Sequence, residues 1–212
     1  MGKSLVTSTK VTISPLKKGR SYLIKYSTIP HFMEVEGGNI YSFEVGGNYD
    51  DVIYALRDLD KKRIFNTTWE IVDVRLKEVK FNYKGRIRVS IRTPALIADP
   101  LIKSKKKRFT NAFSFVFAVN FMDHLKITRE EYRKLILELE EKVREEPSEI
   151  GYASVIYAGK KIIGIVGKLR YELLEVDERI IGTLENALAK GIGSSRRNGF
   201  GRIEVKCEDY GI

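Results

Sequence analysis

Apolar and polar residues alternate in two rhythms along this chain of 212 residues. Over residues 4–13 the period is two. Leu5, Thr7, Thr9, Val11 and Ile13 fall on one side and Val6, Ser8, Lys10 and Thr12 on the other, a β-branched run that predicts a strand. Pro15 to Gly19 is a basic turn, residues 21–27 read as a second strand, Gly37-Gly38 marks a turn, and residues 39–45 read as a third strand. The rhythm then lengthens. After the breaker Gly46-Gly47-Asn48, the apolar residues Val52, Ile53, Leu56 and Leu59 recur at helical spacing, which predicts a helix over 50–60 with Asp50 as its N-cap. Residues 69–79 return to alternation and predict a long strand, ended by the turn chemistry of Asn82-Tyr83-Lys84-Gly85.

The second part of the chain repeats the theme at greater length. Ile87, Val89 and Ile91 predict a strand over 86–91, and Pro94 and Pro100 bracket an irregular stretch. Phe113, Phe117 and Phe121 stand four apart, so residues 113–125 read as a buried helix. Thr128-Arg129-Glu130-Glu131 is a capping box that opens a charged helix to about Glu146, where Pro147 stops it. Residues 152–157 and 161–174 read as paired strands around Gly159-Lys160. A last helix over 177–190 is apolar at Ile180, Ile181, Leu184, Ala187 and Leu188, ends at Gly191 as at a C′ glycine, and is followed by a strand over 202–207. This order suggests an α+β chain of two similar units, residues 1–80 and 81–212, each a ferredoxin-like (RRM-like, βαββαβ-related) domain with an antiparallel sheet and helices on one face. No sequence repeat is strong enough to prove duplication.

Composition narrows the partner. Lysine and arginine number 38 against 28 acidic residues, a formal charge of +10 that favours a polyanion over the competing explanation of a merely charge-rich, heat-stable surface. Cys207 is the only cysteine, which excludes an internal disulfide and a cysteine-built metal site and suits a reducing cytosol. The N-terminal residues hold no long apolar run, so neither a signal peptide nor a membrane span is expected, and the balance of 43% hydrophobic and 31% charged residues is that of a soluble globular chain.

Chemistry concentrates in residues 191–201, Gly-Ile-Gly-Ser-Ser-Arg-Arg-Asn-Gly-Phe-Gly. Gly191, Gly193, Gly199 and Gly201 allow positive φ and close backbone approach, so successive bare amides could cup a phosphate. Ser194, Ser195 and Asn198 add polar groups, and Arg196 and Arg197 offer bidentate guanidinium contacts. The dinucleotide fingerprint is excluded because a helix precedes this segment and a strand follows it, and the P-loop is excluded because no Gly-Lys-Ser/Thr closes it. A second candidate for a polyanion is the run Lys103, Lys105, Lys106, Lys107 and Arg108, although such runs are usually plain solvated loops. Tyr83, Arg86 and Arg88 could extend a basic strand face.

Helix, then Gly-x-Gly-x5-Gly-x-Gly, then a final strand resembles the signature of the RAMP superfamily of CRISPR-associated proteins. The segments Tyr41 to Val45, Trp69 to Val72 and Gly164 to Gly167 are most like the repeat-processing endoribonuclease family within it. The resemblance spans roughly residues 20–208. It implies tandem ferredoxin-like domains, binding of CRISPR repeat RNA or crRNA in antiviral defense, no cofactor and no metal. It also implies cleavage of precursor transcripts by attack of the RNA's own 2′-OH, leaving a 2′,3′-cyclic phosphate. Other CRISPR-associated proteins and a homodimer are further partners it allows. Its alternative is a catalytically inactive RNA-binding subunit or scaffold of an interference complex, since those share the glycine motif.

The resemblance also exposes a departure. The family carries a helix directly after its first strand, with the catalytic histidine in or just after it. Pro15 to Arg20 leaves no room for that helix, so the N-terminal unit lacks it and no position matches that histidine. The chain has two histidines. His31, in the connection Thr28-Ile29-Pro30-His31-Phe32, has the pKa class of a general base, and His124 sits on a helix that is mostly core. Tyr22, Lys25 and Tyr26 are the candidates for a site built without histidine.

Overall fold

The structure is a computed structural model and describes residues 11–30, 33–57, 61–64, 66–82, 85–102 and 107–208. Its first part comprises β1 (Thr12–Ile13), β2 (Lys17–Lys18), β3 (Ser21–Tyr22), β4 (Val45–Gly46), α1 (Tyr49–Leu56), β5 (Lys61–Ile64) and β6 (Thr67–Glu70). Among the described residues these strands form three antiparallel pairs, β1 with β4, β2 with β3 and β5 with β6, rather than one sheet. Val11 and Ala55 are buried together, with Phe43, Val52, Leu56 and Ile71 packed against them.

Several expected elements are shorter here. The strand expected over 21–27 covers Ser21–Tyr22, that over 39–45 is reduced to Val45–Gly46, and that over 69–79 ends at Glu70. The alternation beyond Glu70 is genuine, yet Val72, Val74 and Leu76 all face solvent. A period of two makes a strand only where a neighbour takes up its amides and covers one face. Residues 4–10 of the first expected strand lie outside the described residues. The helix expected over 50–60 is α1. Its N-cap is Asn48 in extended backbone, while Asp50 sits in the first turn, where its charge suits the positive end of the helix dipole.

The second part is a single four-stranded antiparallel sheet with helices on one face. Its elements are β7 (Arg86–Ala95), α2 (Phe113–Val116), α3 (Ala118–Leu125), α4 (Arg129–Lys142), β8 (Val143–Tyr157), β9 (Lys160–Leu173), α5 (Glu178–Lys190) and β10 (Ile203–Glu208). The strands lie in the order β10-β7-β9-β8, with helices between the first and second and between the third and fourth, a βαββαβ arrangement. Ile87, Val89, Leu169 and Tyr171 turn toward the helices and are buried with Phe113, Phe117, Phe121, Tyr132, Ile180 and Leu184. Phe113 and Phe117 stack with ring centroids 4.7 Å apart, as their spacing predicted, but the helix around them breaks at Phe117 (φ −99°, ψ 4°) into α2 and α3.

Proline 147 does not stop a helix. The capping box at Thr128 forms as expected, but α4 ends at Lys142 and Pro147 lies inside β8, at a register shift between Glu146 and Glu149. Because β8 is an edge strand, a residue without an amide hydrogen costs it no obligatory ladder bond. The β8–β9 hairpin turns through Ala158 and Gly159, both at positive φ, the backbone that a two-residue turn demands. Among the described residues no helix is long and apolar enough to cross a membrane.

Candidate nucleic-acid interface

The segment between α5 and β10 is stitched to the end of β7. Gly201 N–H donates to Pro94 O (2.9 Å), Ser194 N–H to Leu96 O (2.8 Å) and Ile192 N–H to Gly201 O (2.8 Å). Buried Thr93 adds two bonds, donating from its hydroxyl to Gly199 O (2.8 Å) and accepting from Arg202 N–H (2.8 Å). The glycines make this closeness possible. A Cβ on Gly201 would stand 2.0 Å from Ile192 O, and one on Gly193 would stand 2.6 Å from Leu96 O, with both residues at positive φ. Gly191, Gly193, Gly199 and Gly201 are all buried. The glycines thus let main chains meet, and the amides of residues 191, 192, 194, 199 and 201 are engaged by the protein's own carbonyls. The expected row of bare amides is therefore largely taken up, and at the tip the Asn198 N–H donates to Ser195 O (2.9 Å).

That tip is Ser195 (φ 61°) followed by a single 3₁₀ turn, Arg196–Asn198. Ser195, Arg197 and Asn198 are exposed. The two arginines part company. Arg196 points inward, its side chain 13% exposed, and reaches Asp123 on α3 at 3.4 Å, while Lys190 holds the same carboxylate oxygen at 3.0 Å. Burial pulls the Arg196 guanidinium below its ordinary pKa and Asp123 opposes the shift. Burial likewise works to raise Asp123, but Lys190 and Arg196 outweigh it and hold the carboxyl below its ordinary value. Arg197 has no carboxylate partner among the described residues.

The other candidates separate in the same way. Ser194 is spent, since its hydroxyl donates to Leu96 O (3.0 Å) and accepts from Lys107 Nζ (2.8 Å). The latter bond places Lys107 beside the loop. Arg108 clasps the buried Asp99 through Nη2 at 2.6 Å and Nε at 2.7 Å. Lys103, Lys105, Lys106 and His31 lie outside the described residues. The Tyr22 hydroxyl donates to Glu44 (3.0 Å), and burial followed by the Glu44 charge raises its pKa. Tyr26 is exposed, and partial desolvation raises its pKa too. Lys25 comes to the loop. It lines a cleft of about 200 Å³ together with Met33, Val155, Tyr157, Asn198 and Phe200. His124 does not approach the site, because its ring packs on α5, where a Cβ on Gly182 would fall 2.1 Å from its Nε2.

Sequence reasoning missed three residues that build this site. Asp123 is one, a lone acid at the end of an apolar helix that needs a cation. Thr93, before a proline, carries no motif that marks it. Arg202, within the strand expected over 202–207, is 3% exposed and donates to Ala189 O (2.7 Å) at the C-terminus of α5 and to Glu44 O (3.3 Å). It thereby ties the first part of the chain to the loop. Among the described residues no three His, Cys, Asp or Glu side chains cluster as metal ligands.

The open face of the sheet carries more positive charge than the loop, but its five cations on β7 and β9 are answered. Arg88 meets Glu208 (3.0 Å), Arg170 meets Glu149 (3.1 Å), Lys168 meets Glu149 (3.2 Å), Arg86 meets Glu146 (2.9 Å) and Arg92 meets Glu204 (3.4 Å). Arg86 and Arg88 therefore do not extend a free basic face, and Tyr83 lies outside the described residues.

No protein-family model matches this sequence, and no curated protein sequence matches it either. Solved structures do match. A Cas6 product complex aligns with a TM-score of 0.59 at 12% identity, covering 93% of this chain and 82% of that one. A second Cas6 product complex, of the Thermus thermophilus protein, aligns with a TM-score of 0.59 at 11% identity over 94% and 82%. The product of a Cas6-related gene from Pyrococcus furiosus aligns with a TM-score of 0.54 at 16% identity over 94% and 79%. In fold, therefore, this chain is similar to solved Cas6 structures over nearly its whole length.

Proposed function

We propose that this chain binds CRISPR repeat RNA at the tip of its glycine-rich loop and processes precursor CRISPR transcripts by metal-independent cleavage. The observation that carries the reading is Arg197, an exposed guanidinium without a carboxylate partner at the apex of a rigidly anchored loop, in a chain of net charge +10. Phosphate binding needs a cation that does not first have to leave a partner. Lys107, fixed next to the loop by Ser194, extends the contact. The tandem ferredoxin-like arrangement, with units at 1–80 and 81–212, belongs to the same reading.

In the cleavage step a base takes the proton of the 2′-OH, O2′ bonds to the adjacent phosphorus, the P–O5′ bond breaks, and O5′ takes up a proton. The products are a 2′,3′-cyclic phosphate and a 5′-OH. Lys25, in the cleft beside Asn198, can stabilise charge on the phosphate or protonate the leaving oxygen. His31 is the sequence's candidate for the base. Labelled repeat RNA incubated with the protein in EDTA tests this: a cyclic-phosphate product, lost in His31→Ala and Lys25→Ala, is expected.

One observation favours a second reading, a binding-only protein. The Tyr22 hydroxyl is committed to Glu44 and its pKa is raised, the wrong direction for a base, while the exposed His124 ring lies against Gly182 of α5 rather than at the loop. Saturable, salt-sensitive binding with the RNA left intact in EDTA would select it. Absence of binding would sink both.

A further inference from the structure

The cleft beside the loop has features that phosphate binding leaves unused. Its lining combines apolar and aromatic side chains with polar ones. Val155 and Phe200 belong to a small buried cluster of their own, and the edge of the Tyr157 ring meets Phe200 at 5.7 Å with the planes 83° apart. Met33 and Tyr157 are each 44% exposed, so apolar surface is left open to water at the mouth. Lys25, Ser27, Thr93 and Asn198 add polar groups to the lining. At about 200 Å³ the space lies below the roughly 300–1,000 Å³ of pockets that enclose whole drug-sized ligands. It suits a single flat ring system.

From this we infer that the cleft is a nucleobase pocket, which takes one unstacked base of a single-stranded RNA while Arg197 holds a neighbouring phosphate. The inference rests on the RNA-binding reading above and adds to it the part of the ligand that is read. Asn198 directly follows Arg197, so a base contact and a phosphate contact one residue apart match the reach of a single nucleotide. Aromatic and thioether walls accept the face of any base, and the Asn198 carboxamide presents a donor and an acceptor to its edge. Phosphate contacts give affinity without discrimination, whereas a pocket of this kind supplies dependence on the base itself.

The test compares two probes on the full chain: a single-stranded RNA twelve-mer bearing bases, and an abasic ribose-phosphate twelve-mer of equal length. The wild-type protein is expected to bind the base-bearing oligomer at least roughly tenfold more tightly. In Tyr157→Ala and Asn198→Ala, both changes at exposed side chains, that ratio should fall to less than about threefold. Arg197→Ala should weaken both probes by a similar factor and leave the ratio standing. Equal wild-type affinity for the two probes overturns the pocket while leaving phosphate binding intact. An unchanged ratio in both pocket variants overturns it as well. Failure to bind either oligomer removes the RNA reading and the pocket with it.

Discussion

The open sheet face and the glycine loop offer opposite answers to the same surplus of positive charge. On the sheet, Arg86, Arg88, Arg92, Lys168 and Arg170 project from adjacent strands, and each has a glutamate across from it. In the loop, two adjacent arginines divide the work: Arg196 is held by Asp123 and Arg197 is left to solvent. A paired cation must give up its partner before it can hold a phosphate, so the denser patch is the poorer binder. Charge counted along a sequence therefore misplaces a polyanion site unless the pairing is known.

The largest effect should come from breaking the anchor that presents the tip. Gly201→Ala puts a Cβ 2.0 Å from Ile192 O at φ 72°, where backbone strain and a main-chain clash add. Loss of roughly 3 kcal/mol or more is expected in a urea melt, with RNA binding lost alongside. Gly19→Ala is the control. It also has positive φ (62°), but nothing lies within 4 Å, so about 1 kcal/mol is expected. Equal losses would show that the loop glycines serve only turn geometry.

Next in size is Arg197→Ala. Affinity for single-stranded RNA should fall roughly tenfold, the weight of one charge-assisted contact, and uniformly across sequences. The slope of log affinity against log salt should become shallower by about 0.7. Arg196→Ala should act mainly on stability. If the two variants lost RNA affinity equally, the division of labour between them would be wrong.

Much of the second half of the chain was legible because its signals are local. The Thr128 capping box, the phenylalanines four apart, the turn expected at Gly159-Lys160 and found one residue earlier, and the Gly191 helix end depend on neighbours within a few residues. The glycine motif was legible as a feature but not as a mechanism. Nothing in Gly-Ile-Gly says that Gly193 faces Leu96 O, because that contact joins residues almost a hundred apart. Pro147 misled for a related reason: it disfavours helix interiors and sheet centres alike, and only the place of β8 at the sheet edge makes it acceptable. Long-range pairing likewise decided the first half, where Val72, Val74 and Leu76 have the pattern of a strand and, among the described residues, no strand partner.

Asp123 links the silent arginine to pH. Its carboxyl is held below its ordinary value, so its contribution is fully present above an unfolded pKa of about 3.9 and is lost as pH falls through the lower folded value. Asp123→Asn should cost about 1 kcal/mol near neutrality, discounted for a side chain 36% exposed. The gap from wild type should close below about pH 4. Melts across that range measure it, and a constant gap would mean that the Arg196 and Lys190 pairs add nothing.

The smallest effect is expected on the sheet, and it bears most directly on the contrast between the two regions. Arg88→Ala removes a pair whose side chains are 33% and 27% exposed, and Glu208 keeps Arg170 within 3.8 Å. Stability should change by less than about 1 kcal/mol. RNA affinity should stay within roughly twofold, although the net charge falls by one just as in Arg197→Ala. The two variants thus differ in where a charge is removed, not in how much. Equal losses of affinity would mean that overall charge draws the RNA and that pairing does not matter. A loss confined to Arg197→Ala would mean that the site is set by a guanidinium the fold leaves unanswered at this loop.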